Sequence, residues 1–376
     1  MESALRGAAA RHTFERIQRL TRTGVADSEF LAKLSHLLRE IVPFDASFWT
    51  GADPVTMLAT SPSRLENLGS GEYCDRYWEN EFFVEDVNHF HTLAGMPTPT
   101  ASLYRVTGGH PARSSRYHNV NLLQGLGDEL RCVFRAGRDV WGYMCLWRAA
   151  DAQPFTLGEE HLIAGLSAPI GETFRRSALL RQDPVIGVPD GPGLLMFDRT
   201  GALESLNEPA EAWLRRLPFT RLSHDDPGAT PIPAELRSVV NKARAVAAGR
   251  DTGIARARLQ VGGRWVVIHG FALREVGSEV GRTALVIESA KAAEMAPLIV
   301  RAYQLGRREQ QVIRLIAAGL TTAEIAARLS LSTHTIRGYL KRIFEKVRVS
   351  TRGELTAKIF ADHYKETMNP DFAVDL

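Results

Sequence analysis

Residues 320–347 read LTTAEIAARLSLSTHTIRGYLKRIFEKV, and this stretch decides the fold of the C-terminal part of the chain. Thr321 and Glu324 have the spacing of a capping box, in which each side chain accepts a hydrogen bond from the other residue's backbone amide. Ser332 has the position of a second N-cap. The sequence therefore predicts two consecutive helices joined by a tight turn at residues 330–332.

The second of these helices has an apolar side and a basic side. We predict that its core side carries, at offsets of 4, 7, 8 and 11 residues, Ile336, Leu340, Ile343, Phe344 and Val347. The opposite side presents His334, Gly338, Lys341 and Arg342, with Arg337 at its margin. The major groove of DNA admits a helix of this width, and exposed arginine and lysine can reach guanine acceptors or phosphates there.

The flanking sequence extends this pair of helices to four. A helix over residues 307–318 can close at Gly319, because glycine adopts the left-handed conformation of a helix C-terminus. Thr351 and Glu354 form another capping box. Residues 305–364 contain eleven Lys or Arg and five Asp or Glu, in a chain whose formal net charge is only +3. A basic helix face can be merely solvated, but caps, corner, apolar stripe and charge agree here, which favours DNA binding.

These four helices resemble the DNA-binding part of the LuxR-type helix-turn-helix regulators. The resemblance covers residues 305–364 and rests on Arg308-Glu309, residues 312–315, Gly319-Leu320-Thr321, Glu324-Ile325-Ala326, Leu331-Ser332, His334-Thr335-Ile336 and residues 349–354. It implies that the third helix enters the major groove and that the fourth supports dimerisation. Carried over by position, it implies base-edge contacts for Arg337 and Lys341. It implies phosphate contacts for Thr333, Thr335, Arg342 and Lys346.

The chain departs from this family pattern at two positions. Gly306-Arg307 stands where the family usually has a hydroxyl cap followed by proline, but glycine is a tolerated cap that costs only a few tenths of a kcal/mol. Gly338 stands at the centre of the exposed face, where a larger side chain often contacts a base. Glycine here either permits close approach to DNA or leaves that base less directly read, and both interpretations stay open.

The first 186 residues show a mixed α and β pattern. Apolar spacing predicts a helix that ends before Pro43, followed by short strands at 46–50 and 57–61. Segments 130–136 and 140–147 flank Gly137-Arg138-Asp139, which is typical of a hairpin. Thr156 and Glu159 can cap a closing helix towards residue 180, which Pro169 is expected to bend. With an irregular segment in its middle, this pattern resembles a GAF sensor domain.

Residues 187–291 have a different pattern. A proline- and glycine-rich linker at 187–193 precedes two strands within 194–206, and then a helix that Asn207 can cap with Pro209 in its first turn. Three strands follow at 255–261, 264–273 and 283–288, and the order resembles a PAS domain. The expected fold is therefore multidomain: an α+β GAF-like domain (1–186), an α+β PAS-like domain (187–291), a helical connector (292–304) and an all-α four-helix LuxR-type domain (305–376).

Other candidate residues favour structural roles over chemistry. Aromatic residues that can line a ligand pocket, but more often form core, are Tyr73, Tyr77, Trp78, Phe82 and Phe83. His89 and His91 lack a further nearby ligand, which favours surface or loop residues over a metal or haem site. The chain has no phosphate-binding glycine loop, and Cys132 and Cys145 on the hairpin are expected to be buried, inert thiols. We expect no metal, no cofactor and no enzymatic activity.

Together these features predict a cytoplasmic one-component transcriptional regulator. Its front domains would sense a small-molecule ligand or a partner and shift the arrangement of a homodimer that holds paired half-sites on double-stranded DNA. No apolar run approaches the roughly twenty residues needed to cross a bilayer, and the odd, widely spaced cysteines are typical of a reducing compartment. Two alternatives stay open: a haem- or flavin-bearing sensor or enzyme placed on DNA, and an interaction hub whose front domains only dimerise.

Overall fold

The computed structural model describes residues 8–68, 71–180, 189, 191–217, 232–261, 264–274 and 280–361. The chain forms two compact units, Met1–Ser289 and Ala290–Leu376. The first is mixed α and β with two antiparallel sheets, and the second is helical. Residues 187, 188 and 190 of the expected linker, and residues 362–376, lie outside the described residues. None of the described helices combines the length and the apolar content that a bilayer-spanning segment needs.

The first sheet is a five-stranded antiparallel sheet with helices before, between and after its strands. Its elements are α1 (Ala8–Thr23), α2 (Ser28–Ile41), β1 (Ala46–Ala52), β2 (Ala59–Glu66), α3 (Gly71–Phe83), α4 (Phe90–Gly95), β3 (Thr100–Ser102), α5 (Leu103–Val106), β4 (Leu126–Ala136), β5 (Asp139–Ala149) and α6 (Leu157–Ser177). Short 3-10 turns at Pro111–Arg113 and Leu122–Gln124 and a π-helical turn at Tyr117–Asn121 precede β4. The strand order is β2-β1-β5-β4-β3.

Local chemistry explains several of these boundaries. Helix α2 ends at Ile41, before Pro43, as predicted. The predicted capping box starts α6, because Glu159 accepts from the Thr156 amide at 2.8 Å and Thr156 Oγ1 accepts from the Glu159 amide. The β4–β5 hairpin is also as predicted, with Gly137 at φ +65 in its turn. Strand β2 begins two residues later than expected, because Met57 has a left-handed φ of +61 that a strand does not accept.

The second sheet repeats the strand order of the first. Its elements are β6 (Gly193–Phe197), β7 (Leu203–Leu206), α7 (Glu208–Leu214), α8 (Ala234–Ala247), β8 (Arg256–Val261), β9 (Arg264–Arg274) and β10 (Val280–Ser289). They pair antiparallel in the order β7-β6-β10-β9-β8. Asn207 caps α7 by accepting from the Ala210 amide at 3.0 Å, as predicted. Helix α8 lies so close to β9 that a Cβ at Gly270 would stand 2.9 Å from Val239.

Helix α3 joins the two sheets of the first unit, although the sequence predicted an irregular segment there. Trp78 is buried against the first sheet, and its ring centroid lies 6.1 Å from that of Phe48. Another side of α3 contacts α8, where Glu79 pairs with Arg244 at 3.1 Å. The side of α3 that meets α8 is charged, and Asp75 pairs with Arg237 there as well. Contacts of this kind join residues far apart in the sequence, so helical periodicity does not reveal them.

Buried polar contacts also link the strands of the first sheet to the second. The carboxylate of Asp53, just after β1, and the guanidinium of Arg258 in β8 lie 2.6 Å apart, and both side chains are 0% exposed. The Arg258 amide donates to the same carboxylate oxygen at 3.1 Å. Ser63 of β2 donates to Glu235 of α8 at 2.7 Å. Such contacts require both partners, so the two sheets behave as one unit.

The buried Glu235 predicts a pH dependence of stability. Burial raises the pKa of its carboxyl above the usual value of 4.5, and the Ser63 hydrogen bond opposes that only in part. Well below pH 4.5 the Glu235 carboxyl is protonated in the folded and the unfolded state alike, and its burial then costs no charge. The wild-type free energy of unfolding should therefore fall as the pH rises from 4.5 through the raised pKa.

Replacing Glu235 by glutamine removes this titration. We expect Glu235→Gln to stabilise the first unit more at pH 8 than at pH 5, measured by urea unfolding at both values. Glu29→Gln is the matched substitution of an exposed carboxylate. It should not stabilise the first unit more at pH 8 than at pH 5, because the hydrogen bond with Lys33 lowers the pKa of Glu29. A benefit of Glu235→Gln that is equal at the two pH values would contradict the assignment.

A buried network of charges fixes the segment between α3 and β4. Arg131 donates to Glu81 at 2.6 Å and to Glu129 at 2.8 Å, and Arg116 donates to the second oxygen of Glu129 at 2.7 Å. His89 lies in the loop before α4, one of the two predicted environments, and it is buried there, 3.5 Å from Glu81. Burial by itself would raise the pKa of Glu81, but Arg131 and His89 hold it well below its usual value.

The cysteines of the hairpin are buried and free, as predicted. They lie on adjacent strands but not opposite each other, because Cys132 pairs with Met144 and Cys145 pairs with Arg131. Burial raises the pKa of both thiols far above the ordinary range. Thiols that stay protonated are poor nucleophiles and poor metal ligands, which fits a structural role.

The second unit consists of α9 (Ala292–Ala302), α10 (Arg307–Ala317), α11 (Thr322–Leu329), α12 (Thr333–Val347), α13 (Arg352–Thr356) and a π-helical turn at Ala357–Ala361. Helix α9 occupies the region expected to be a connector. Its side chains Met295, Leu298 and Ile299 are no more than 4% exposed, and the helix contacts the turn at Ala357–Ala361. The connector is thus also part of the core of the C-terminal unit.

Candidate nucleic-acid interface

Helices α11 and α12 form the predicted helix-turn-helix, and side-chain caps start both of them. Glu324 accepts from the Thr321 amide at 2.6 Å, and Thr321 Oγ1 accepts from the Glu324 amide at 3.3 Å. Ser332 Oγ accepts from the Thr335 amide at 3.0 Å. Ser330 ends α11 in the left-handed conformation at φ +55. The turn and both caps therefore lie where the sequence placed them.

The core side of α12 is narrower than the sequence predicted. Ile336, Ile343 and Val347 are fully buried. Leu340 and Phe344 were expected beside them but are only half-buried, so that part of the prediction is wrong. At about 100° per residue they lie at the margin of the apolar stripe, beyond the surface that α10 and α11 cover. They form the floor of an open groove of about 580 Å³.

Arg337 and Lys341 border this groove, one helical turn apart. Both side chains are exposed. Within the part of the chain that the structure describes, neither is hydrogen-bonded or ion-paired. Their cations are therefore available to an external acceptor such as a base edge or a phosphate.

Thr333 and Thr335 lie in the first turn of α12. Thr333 is exposed, whereas Thr335 is half-buried. The hydroxyl groups of Thr335 and Ser332 are 2.9 Å apart. The two threonines therefore stand at the end of α12 where backbone amides point outwards, which suits phosphate contacts.

Arg342 and Lys346 are turned towards α10, unlike Arg337 and Lys341. Lys346 Nζ lies 2.7 Å from Glu309 Oε2, and Arg342 Nε lies 3.9 Å from Glu309 Oε1. The Arg342 guanidinium also stands over the Tyr339 ring, 4.7 Å from its centroid. Of the six residues singled out from the sequence, these two are engaged within the protein by their charged groups.

Arg348 was not singled out from the sequence, yet it borders the groove between Lys341 and the turn before α13. It is exposed and has a left-handed φ of +56 as the C-cap of α12. The available signal was its position directly after Val347, the last core residue of the helix. A cation at a helix C-terminus is usually explained by its interaction with the helix dipole. Its position alone therefore does not indicate that Arg348 borders the groove.

Gly338 offers a test of the two interpretations of this position. A Cβ at Gly338 would meet nothing within 4 Å, and α12 is regular there. We expect Gly338→Ala to raise the free energy of unfolding of the C-terminal unit by about 0.5–1 kcal/mol, because alanine loses less backbone freedom in a helix. If close approach to DNA needs glycine, DNA affinity falls while stability rises, as measured by urea unfolding and fluorescence anisotropy. Unchanged or higher affinity supports the other interpretation, that the base opposite position 338 is less directly read.

Residues 303–359 match the family model described as bacterial regulatory proteins, luxR family. An HTH-type transcriptional regulator in the exeN 3' region of Aeromonas salmonicida is 38% identical over 72 residues, which are 19% of this chain and 36% of that protein. Transcriptional regulatory protein DesR of Bacillus subtilis (strain 168) is 42% identical over 60 residues, 16% of this chain and 30% of that protein. The chain thus spans about a third of the length of these curated relatives.

Similarity to solved structures is weaker. The phage VqmA structure, a complex with DPO, is 17% identical and covers 50% of this chain and 90% of its own, with a TM-score of 0.22. The family model matches the C-terminal helices, residues 303–359.

Proposed function

Because residues 303–359 carry a LuxR-family DNA-binding domain, we propose that the chain is a transcriptional regulator that binds promoter DNA through α12. Arg337 and Lys341 would contact base edges, and Thr333, Thr335 and Arg342 would contact phosphates. The observation that carries the proposal is the pair of exposed cations one turn apart on a capped helix. The apolar floor of the groove, Leu340 and Phe344, would meet thymine methyl groups or sugar edges.

Footprinting with the purified full chain tests this proposal. We expect protection of a defined sequence at physiological salt, selected from genomic fragments. Since helix-turn-helix dimers read half-sites one helical turn apart, the protected site should be a near-palindrome and the bound mass that of two chains. Uniform, weak protection of all fragments, under conditions where a known site-specific binder footprints normally, would rule out site-specific regulation.

We propose that residues 1–291 form the sensory part, with a GAF-like domain over residues 1–186 and a PAS-like domain over residues 187–291. Two five-stranded antiparallel sheets of the same strand order support this division. A cavity of about 30 Å³ lies between the first sheet and α3, and aromatic and aliphatic side chains line it, among them Phe48, Tyr77, Trp78, Val120 and Trp147. We propose that a small uncharged ligand binds there. The present volume admits only a few atoms, so a larger ligand would displace α3 and, through Glu79 and Arg244, α8.

Benzene is larger than the present cavity, so it tests whether α3 can move to admit a small apolar ring. Ligand that binds only the folded state raises the unfolding temperature. We expect benzene to raise it for the wild-type chain and not for Val120→Phe, which fills the cavity from its wall. No shift with benzene, or an equal shift in both proteins, would remove the cavity from consideration and leave DNA binding by α12 unaffected.

A further inference from the structure

Lys346 and Glu309 join two helices of the DNA-binding domain. Lys346 lies in the last turn of α12, and its Nζ donates to Glu309 Oε2 at 2.7 Å and to the Gln304 carbonyl at 3.1 Å. The Gly306 amide donates to the same carboxylate oxygen at 2.7 Å. The Glu309 side chain is only 7% exposed. A carboxylate removed from water to this degree needs a cation beside it, and Lys346 supplies that cation.

Lys346 lies on the side of α12 that faces away from the groove. Nine residues separate it from Arg337, and at about 100° per residue this places the two side chains half a turn apart. When Arg337 and Lys341 face a DNA groove, Lys346 therefore faces α10. Arg342 precedes Lys346 by one helical turn and approaches the other oxygen of Glu309 at 3.9 Å.

We infer that Lys346 is a positioning residue for DNA binding. It does not make the phosphate contact that the family resemblance implies for it. Its contacts with Glu309 and Gln304 fix the angle between α12 and α10. Arg337 lies about 13 Å along the helix from Lys346. A small tilt at the clamped end moves Arg337 out of hydrogen-bonding range of a base edge. The inference rests on the proposed function.

Salt dependence separates a positioning residue from a phosphate contact. Each phosphate contact adds about 0.9 to the slope of log K against log salt concentration. The full chain is titrated with two duplexes, one that it selects from a random pool and one of mixed sequence. We expect Lys346→Met to weaken binding of the selected duplex several-fold, with the slope and the mixed-sequence affinity unchanged. Lys341→Met makes the same chemical change on the groove side and should lower the slope.

Glu309→Gln gives a second test, in which the two roles predict opposite signs. If Lys346 contacts phosphate, removal of the Glu309 charge frees the ammonium for DNA, and both duplexes bind more tightly. If Lys346 positions α12, the selected duplex binds several-fold more weakly. The double variant should then be no weaker than either single variant, because the two residues act as one contact.

Circular dichroism and thermal unfolding of each variant show whether it is folded. Lys346→Arg keeps the charge and should retain most of the affinity. A lower salt slope for Lys346→Met would overturn the inference alone, and so would tighter binding by Glu309→Gln that is lost when Lys346→Met is added. Tighter binding that persists in the double variant comes from Arg342, which also approaches Glu309. If the wild-type chain selects no duplex, the proposed function fails and the inference fails with it. If Lys346→Met leaves the selected duplex as tightly bound as the wild type does, Lys346 has no part in binding.

Discussion

Asp53→Ala is expected to lower the free energy of unfolding of the first unit by about 3–5 kcal/mol, the largest effect we predict for a single substitution. Asp53 and Arg258 are both 0% exposed, and the Arg258 guanidinium lies 2.6 Å from the Asp53 carboxylate. Removing the carboxylate leaves a cation that water cannot reach. The Arg258 backbone amide also loses its hydrogen bond to that carboxylate. Urea unfolding followed by circular dichroism measures the change.

Two controls show whether the effect comes from removing the carboxylate charge beside Arg258. Glu29→Ala removes one partner of an exposed ion pair with Lys33 and should cost much less than Asp53→Ala does. The double variant Asp53→Ala/Arg258→Met removes both buried charges and should be more stable than Asp53→Ala alone. A double variant at least as unstable as the single one would show that packing, and not charge, sets the cost.

Arg337→Ala and Lys341→Ala are each expected to weaken binding of a selected duplex by about 1–3 kcal/mol, or about 5- to 150-fold. A side chain with two hydrogen bonds to a base distinguishes that base from the others, so the loss should be confined to the matching sequence. Arg314→Ala removes an exposed arginine of α10, outside the two helices of the reading motif, and should change the affinity much less. Fluorescence anisotropy on the selected and mixed-sequence duplexes measures all three.

The comparison between duplexes decides what these residues do. If Arg337→Ala or Lys341→Ala weakens both duplexes equally, that side chain contacts only phosphate. If it weakens the selected duplex alone, it reads a base. Because the two residues stand one turn apart on one helix, their losses should fall at neighbouring positions of the site, which a set of single base-pair changes would locate.

The C-terminal helices could be predicted well because their signals are local. Thr321 with Glu324, Ser332 with Thr335, and the left-handed Gly319 each act within a few residues of each other. The half-buried state of Leu340 and Phe344 could not be predicted, since it depends on how far α10 and α11 extend over α12. Periodicity places a residue on a side of a helix but does not say how much of that side is covered.

Contacts between distant parts of the chain escaped prediction in both units. Arg131 and Glu81 are fifty residues apart and Lys346 and Glu309 thirty-seven, so no spacing rule connects them. The sequence therefore showed a basic residue at position 346 and left its partner unknown. The same holds for α3, whose contacts with α8 become visible only when the second sheet is in place.

The burial of α9 has a practical consequence for work with isolated parts of this chain. Met295, Leu298 and Ile299 are covered within the C-terminal unit, and Leu305 is 4% exposed beside them. A fragment that starts at residue 305 lacks α9, so aliphatic side chains that α9 covers become exposed. We expect such a fragment to aggregate. Fragments meant to carry α12 alone should start no later than Ala290, where the C-terminal unit begins.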